Sequence, residues 1–266
     1  MNRVAIVGYG YVGKAYHKLF PDATIYDPIL PAFCIQGLGE MRQMVNTCDL
    51  AVVCVPTNPL PDGDLDMGIV EEVVGWLETP VILIKSTLMP GTCERLKAKY
   101  KRRLVVSPEY IGEGRHYTPP QFPDPRNPIG HGFTILGGDP NDCSYVADIL
   151  LPIMGPSTRF RFMDSTSAEL VKMAENYFLA LKVTFANELR AICDKAGVNY
   201  HIVREGWLDD PRIGLSHSAS FKENRGYGGK CLPKDTAALR QMCQSLGFTP
   251  HLLLGMIEAN DSAGRE

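Results

Sequence analysis

The sequence predicts an α/β protein: a doubly wound parallel sheet over residues 1–160, then an all-helical domain over 161–266 built on one long central helix. Three observations predict it. Short, continuously apolar runs recur through the first half, each closed by turn residues, as strands buried on both faces do. A glycine-rich turn joins the first of these runs to a helical pattern. In the second half, the stretch from Asp164 to Gly197 keeps a helical period without a break.

The first element is the strand Val4 to Val7 in "RVAIVGYGYVGKAYHKLF", which passes through Gly8, Gly10 and Gly13 into a helix with Ala15 and Leu19 turned inward. Gly8 permits the turn, Gly10 lets a pyrophosphate approach the backbone, and Gly13 lets helix and strand pack closely. The helix start at Tyr11 and Val12 then supplies amide donors and a partial positive charge, so this is a Rossmann-like dinucleotide cradle. A second strand in "ATIYDP" ends at Asp27, roughly 20 residues beyond the first glycine, where a carboxylate accepts hydrogen bonds from an adenosine ribose. No arginine follows Asp27, and the acid would meet a 2′-phosphate with like charge, so NAD is favoured over NADP. A plain turn aspartate before Pro28 is the competing role.

Three further buried strands follow: Leu50 to Val55, Val81 to Ile84 and Leu104 to Val106. Their carboxyl ends carry Thr57, then Ser86 and Thr87, then Glu109 and Glu113. Ligands of open parallel sheets bind outside those ends, so the set points to one crevice, although each hydroxyl taken singly reads better as a turn cap. From Thr118 to Asn141 the chain is rich in Pro, Gly and polar residues and reads largely as a loop. A last strand, Phe133 to Leu136, and a helix from Asp142 to Leu151 close the first domain near Phe160.

The long helix starts at a capping-box pattern, Thr166 with Glu169, and ends at Gly197. Leu170, Ala174, Phe178, Leu181 and Phe185 recur on one face and are expected to be buried. Lys172 and Asn176 lie four residues apart and share a face one turn apart. Spacing alone favours a solvated face; in a crevice the pair would instead stabilise a forming alkoxide. A short helix, "NYHIVREGWL", and a final helix capped by Thr249 and opened by Pro250 complete the domain.

Composition narrows the function. The 266 residues carry 27 basic and 30 acidic side chains, net −3, with no long basic run, so neither nucleic acid nor an anionic membrane is an expected partner. No signal core or membrane-length apolar run is visible, which predicts a cytoplasmic protein. The eight cysteines form no CxxC pair and no histidine stands at metal-ligand spacing, so neither a disulfide framework nor a metal site is expected. Most of these thiols read as small buried groups. Cys231, in "GYGGKCLPKD", is the exception. It precedes a helix that Pro233 is placed to open, with Lys230 and Lys234 beside it, and dipole and cations favour a thiolate there.

Taken in order, "GYGYVG", "CVPT", "KST", "SPEYIGEG", "AELVKMAENYFLALKVTFANE" and "GYGGKCLPKD" resemble the UDP-glucose/GDP-mannose 6-dehydrogenase family, and the resemblance covers nearly the whole chain. A GxGxxG turn with a KxxxN helix also occurs in hydroxyisobutyrate and 6-phosphogluconate dehydrogenases, but the GGxCxPKD stretch does not. The resemblance implies a four-electron oxidation of a nucleotide sugar at C6, UDP-glucose to UDP-glucuronate for polysaccharide biosynthesis, with two NAD⁺ and one water. It makes Cys231 the nucleophile, Lys172 and Asn176 the alkoxide-stabilising pair, and Asp235 with Glu109 the acids that manage water and protons. It also puts Thr57, Thr87, Glu113 and Lys234 at NAD. Phe221, Asn224 and Gly228, together with Glu109, Lys172 and Asn176, fall at the substrate. Arg212, in "DDPRIG", matches an arginine that reaches the neighbouring subunit's substrate, so a homodimer along the helix Thr166–Gly197 is expected. Gly112 replaces a basic residue of relatives, whose contact is thereby missing. The chain ends after "MIEAN", where relatives continue into a further nucleotide-sugar-binding domain, so it is expected to lack that domain. Two other readings remain: a two-electron hydroxy-acid dehydrogenase using Lys172, and a non-catalytic NAD-binding module.

Overall fold

The computed structural model describes residues 2–33, 37–111, 127–221, 223 and 225–263. Contacts divide the described chain into two compact units. The first runs to Leu60, resumes at Leu65 and ends at Lys172; the second holds Pro61–Asp64 and the chain from Met173.

The first unit contains one sheet of seven strands: β1 Val4–Val7, β2 Thr24–Tyr26, β3 Leu50–Val53, β4 Val81–Ile84, β5 Leu104–Val106, β6 Phe133–Gly138 and β7 Arg159–Met163, in the order β2-β1-β3-β4-β5-β6-β7. The strands from β2 to β5 pair in parallel, β6 runs antiparallel to β5, and β7 is parallel to β6. Alternate residues of each central strand face opposite sides. Ala5, Val7, Ala51, Val53, Ile82 and Ile84 build one core, and Val4, Ile6, Leu50, Val52, Val81 and Leu83 the other. Both faces are dry, which is why these strands read as unbroken apolar runs. Helices α2 Leu38–Asn46, α3 Gly68–Trp76 and α4 Thr92–Tyr100 pack on the first core, while α1 Tyr11–Leu19 and α5 Pro140–Met154 pack on the second.

The β1–α1 turn has the glycine logic that its spacing predicts. Gly8 has φ +93°, and a Cβ there would lie 2.8 Å from the Cys54 carbonyl oxygen. A Cβ on Gly13 would lie 2.1 Å from the Gly8 carbonyl oxygen, so helix and strand are already at backbone contact. Gly13→Ala is therefore expected to cost about 1–3 kcal/mol through forced backbone displacement, seen as a fall of roughly 2–10 °C in Tm. An unchanged melting curve would contradict the close approach.

One long helix, α6 Ser165–Ala196, leads into the second unit, where α7 Tyr200–Leu208, α8 Leu232–Ser245 and α9 His251–Ala263 follow. Ala180, Val183, Tyr227, Leu253 and Met256 form that unit's core. No helix among the described residues is long and apolar enough to cross a membrane.

Several local expectations are corrected. On α6, Leu170, Phe178 and Phe185 are 40%, 59% and 50% exposed and Ala174 is exposed as well, with only Leu181 partly buried. The buried stripe is instead Met173, Asn176, Ala180, Val183 and Asn187, which carries small and polar groups and so does not look like a core face. The capping box also differs: Asp164, not Thr166, caps α6, accepting from the Ser167 amide at 2.8 Å and the Ser167 hydroxyl at 2.6 Å. Leu232, not Pro233, is the first residue of α8, and α9 begins at His251, one residue after Pro250. β3 ends at Val53 rather than Val55, and β7 follows the strand expected to be last. Of the loop expected from Thr118 to Asn141, residues 118–126 lie outside the described residues, and the remainder forms a short 3-10 turn at Pro128–His131, then β6 and the start of α5.

Candidate active site

In the first unit the site begins at the carboxyl ends of the strands. Gly10 is the N-cap of α1, with no side chain capping it, and a Cβ there would meet nothing within 4 Å. The amides at Tyr11 and Val12 thus open onto space that a pyrophosphate fits. Asp27 accepts from the Tyr9 amide at 2.8 Å and the Ile29 amide at 3.0 Å, which ties the end of β2 to the glycine turn. Each carboxylate oxygen has a second lone pair, so the turn role and a ribose contact are compatible. These residues fit a dinucleotide. Thr57 is buried and Thr87 half-buried beyond β3 and β4. Glu113 lies outside the described residues.

A buried ion pair sits one strand further along. Lys85, directly after β4, donates from Nζ to Ser107 Oγ at 2.9 Å and to the Pro108 carbonyl at 3.0 Å, and stands 3.8 Å from Glu109 Oε2. Burial holds its pKa below the ordinary lysine value, while the Glu109 carboxylate works against that shift. Glu109 also accepts from the Ile111 amide at 2.5 Å, and Lys172 Nζ donates to its backbone carbonyl. Lys172 lies over the Tyr110 ring, 5.5 Å from its centroid. Lys172 is therefore half-buried against the β5 exit rather than on a solvated face.

Glu169, one turn ahead of Lys172, is almost fully buried and accepts from the Gly91 amide at 2.6 Å and the Cys93 amide at 2.8 Å. It thereby holds the N-terminus of α4, where a carboxylate is favoured. Burial still raises its pKa to about 7, with those two amides opposing the shift. Its expected partner was within its own helix; the actual ones are in another.

The second unit gathers the other candidates. Asn176, 4% exposed, donates from Nδ2 to Asp235 Oδ2 at 2.5 Å, and Lys234 Nζ contacts Asp235 Oδ1 at 2.6 Å. Asp235 is buried in the first turn of α8, and Cys231 is that helix's N-cap, exposed and with its side chain making no cap bond. The thiol thus projects at the positive end of a 14-residue helix whose first turn holds a fixed carboxylate. Gly228 is exposed, with open space at its Cβ position, and Phe221 is 43% exposed. Arg212 is exposed and pairs with Asp210 at 2.5 Å, which holds the guanidinium on its own turn. Asn224 lies outside the described residues.

Lys85 and Glu169 are the residues that motif reading missed. Lys85 had a visible signal, a lysine fused to four wholly apolar strand residues, while Glu169 was masked by a local capping pattern.

Residues 166–262 match the UDP-glucose/GDP-mannose dehydrogenase family, central domain, a span that takes in α6, α8 and the Cys231 stretch. That span carries the family's central domain. It is 30% identical over 268 residues to the UDP-glucose 6-dehydrogenase of Rickettsia conorii, covering 94% of this chain and 58% of that protein. Against the UDP-glucose 6-dehydrogenase of Rickettsia typhi it is 29% identical over 269 residues, with coverages of 94% and 58%. A UDP-glucose dehydrogenase structure from Pyrobaculum islandicum superposes with a TM-score of 0.79 at 26% identity, covering 98% of this chain and 68% of that one. Both Rickettsia relatives are longer, and this chain spans 58% of each.

Proposed function

We propose that the chain is an NAD-dependent nucleotide-sugar dehydrogenase that oxidises the C6 hydroxyl of UDP-glucose to the carboxylate of UDP-glucuronate in two successive two-electron steps. The observation that carries this reading is the hydrogen-bonded chain Asn176–Asp235–Lys234 in the turn that follows the exposed N-cap Cys231. A two-electron alcohol oxidation has no use for a nucleophile beside such a carboxylate.

In this reading residues 1–160 hold the dinucleotide through Gly8, Gly10, Gly13 and Asp27, with Thr57, Thr87, Glu113 and Lys234 as further contacts. Residues 161–266 carry the nucleophile and the subunit contact. The chemistry that NAD⁺ supplies when bound is acceptance of one hydride in each oxidation. Lys172 and Asn176 hold the C6 oxygen and stabilise the alkoxide that forms as its proton leaves. The Cys231 thiolate then adds to C6 of the resulting aldehyde, making a C–S bond, and the oxygen takes up a proton to give a thiohemiacetal. The second oxidation removes the hydrogen on C6 and the hydroxyl proton, leaving a thioester. Water adds to that carbonyl, the C–S bond breaks, and the thiolate leaves as the carboxylate forms, with Asp235 and Glu109 handling the protons. Phe221, Asn224 and Gly228 complete the sugar site. A reaction that consumes NAD⁺ and a nucleotide sugar belongs in the cytoplasm.

The test is to incubate the protein with NAD⁺ and a panel of UDP- and GDP-sugars, count NADH and weigh the product. Two NADH per sugar and a uronate are expected. One NADH with free aldehyde would indicate the hydroxy-acid type of dehydrogenase, and NAD binding without turnover would indicate a binding module.

A homodimer along α6 is part of this reading. Phe178, Phe185 and Ile192 are 59%, 50% and 57% exposed at a seven-residue spacing, so they form one apolar stripe along the helix. Phe185 packs edge-on against Trp207 at 5.6 Å and extends the stripe onto α7. A second copy of the stripe is the chemically matched cover. Burying one such phenylalanine contributes about 1.5–3 kcal/mol, so Phe185→Glu is expected to weaken dimerisation at least tenfold in sedimentation equilibrium. A native chain that sediments as a monomer at micromolar concentration would refute the dimer.

A further inference from the structure

The catalytic stretch has an anchor outside itself. Tyr227 is the last buried residue before Cys231, since Gly228, Gly229 and Lys230 are all exposed. Its ring packs into the core formed by Ala180, Val183, Leu253 and Met256. Its backbone is held by one side chain. Asn260, on the last turns of α9, accepts from the Tyr227 amide at 2.6 Å through Oδ1 and donates from Nδ2 to the Tyr227 carbonyl at 3.3 Å. A single amide group thereby takes both main-chain groups of Tyr227, as a neighbouring strand would.

The fit around that contact is tight. Gly226 has φ +93°, and a Cβ there would stand 2.6 Å from Asn260 Oδ1, so the backbone approaches the amide more closely than any side chain allows. The Tyr227 phenol has its pKa raised by burial, and Leu232 and Leu239 of α8 pack against the same core. Tyr227 is thus tied to α9 by its backbone, while its ring lies in a core that α8 also packs against. The four-residue step from Tyr227 to Cys231 starts from that fixed point.

We propose that Asn260 is a positioning residue for Cys231: by clamping Tyr227 it sets where the exposed stretch Gly228–Cys231 enters α8, and so how the thiol stands at the helix N-terminus. The proposal rests on the nucleophilic role given to Cys231 above. It does not need the sugar to be UDP-glucose.

Two variants test it in the full chain. Asn260→Ala removes both bonds. Asn260→Asp keeps the acceptor for the Tyr227 amide but sets a second oxygen against the Tyr227 carbonyl. Iodoacetamide alkylation of Cys231, followed by peptide mass with Cys243 as internal reference, reads the thiol without any turnover. The rate at Cys231 is expected to fall about two- to fivefold in both variants, the fold-change of losing a helix-terminus charge interaction. With UDP-glucose and NAD⁺, the NADH count is expected to drop from two towards one, with trappable aldehyde and little change in the KM for NAD⁺. A lower Tm with unchanged Cys231 alkylation in Asn260→Asp would make Asn260 merely structural and overturn the proposal. If Asn260→Ala does not fold, the Asp variant decides alone. If the native chain itself gives one NADH, the four-electron reading fails while the alkylation rates still judge the clamp.

Discussion

A Cys231→Ser variant is expected to stop after the first oxidation, giving one NADH per UDP-glucose and releasing the C6 aldehyde, with uronate formation slowed on the order of 10³-fold or more. The reason lies in the nucleophile. At neutral pH a serine hydroxyl is almost wholly protonated, and the helix N-terminus that favours a thiolate cannot ionise an alcohol. The first step should survive, because Lys172, Asn176 and Asp235 are untouched and the substitution is at an exposed N-cap whose side chain makes no cap bond. Serine is in fact a better N-cap than cysteine, so Tm should hold or rise slightly. NADH counted against sugar, with the aldehyde trapped as its semicarbazone, checks the result. Uronate release at the native rate would remove Cys231 from the mechanism.

The largest stability effect is expected at Lys85. Lys85→Met leaves the Glu109 carboxylate without its cation and the Pro108 carbonyl without its Nζ donor, in a region where Lys85 is 4% and Glu109 12% exposed at the side chain. Removing one partner of a buried pair costs about 3–5 kcal/mol. Urea unfolding of the variant at neutral pH should show that loss as a lower midpoint. A Lys85→Met/Glu109→Gln double variant should regain part of it, and equal losses for the single and double variants would mean that the pair is uncoupled.

How far the sequence could be read depended on the range of the interactions. β1, β4 and β5 matched their apolar runs end to end, because a strand dry on both faces leaves a continuous signature. The glycine turn was legible for the same local reason. The α6 face was not. Leu170, Phe178 and Phe185 follow the apolar period and yet are exposed, while Asn176, Thr184 and Asn187 are buried. Periodicity reports that one face is apolar, not which surface covers it. Glu169 failed similarly: its spacing fits a local cap, and its hydrogen bonds go to Gly91 and Cys93.

The sequence alone therefore determined the fold class, the dinucleotide turn and the order of the motifs, since each depends on residues within about a helical turn or a strand of one another. Tertiary structure decided what each polar group faces. It buried Lys85 against Glu109, turned Lys172 to the Glu109 carbonyl, joined Asn176 to Asp235 across 59 residues and set Asn260 on Tyr227 across 33. Those pairings follow from packing between elements distant in the chain, and no local period records them.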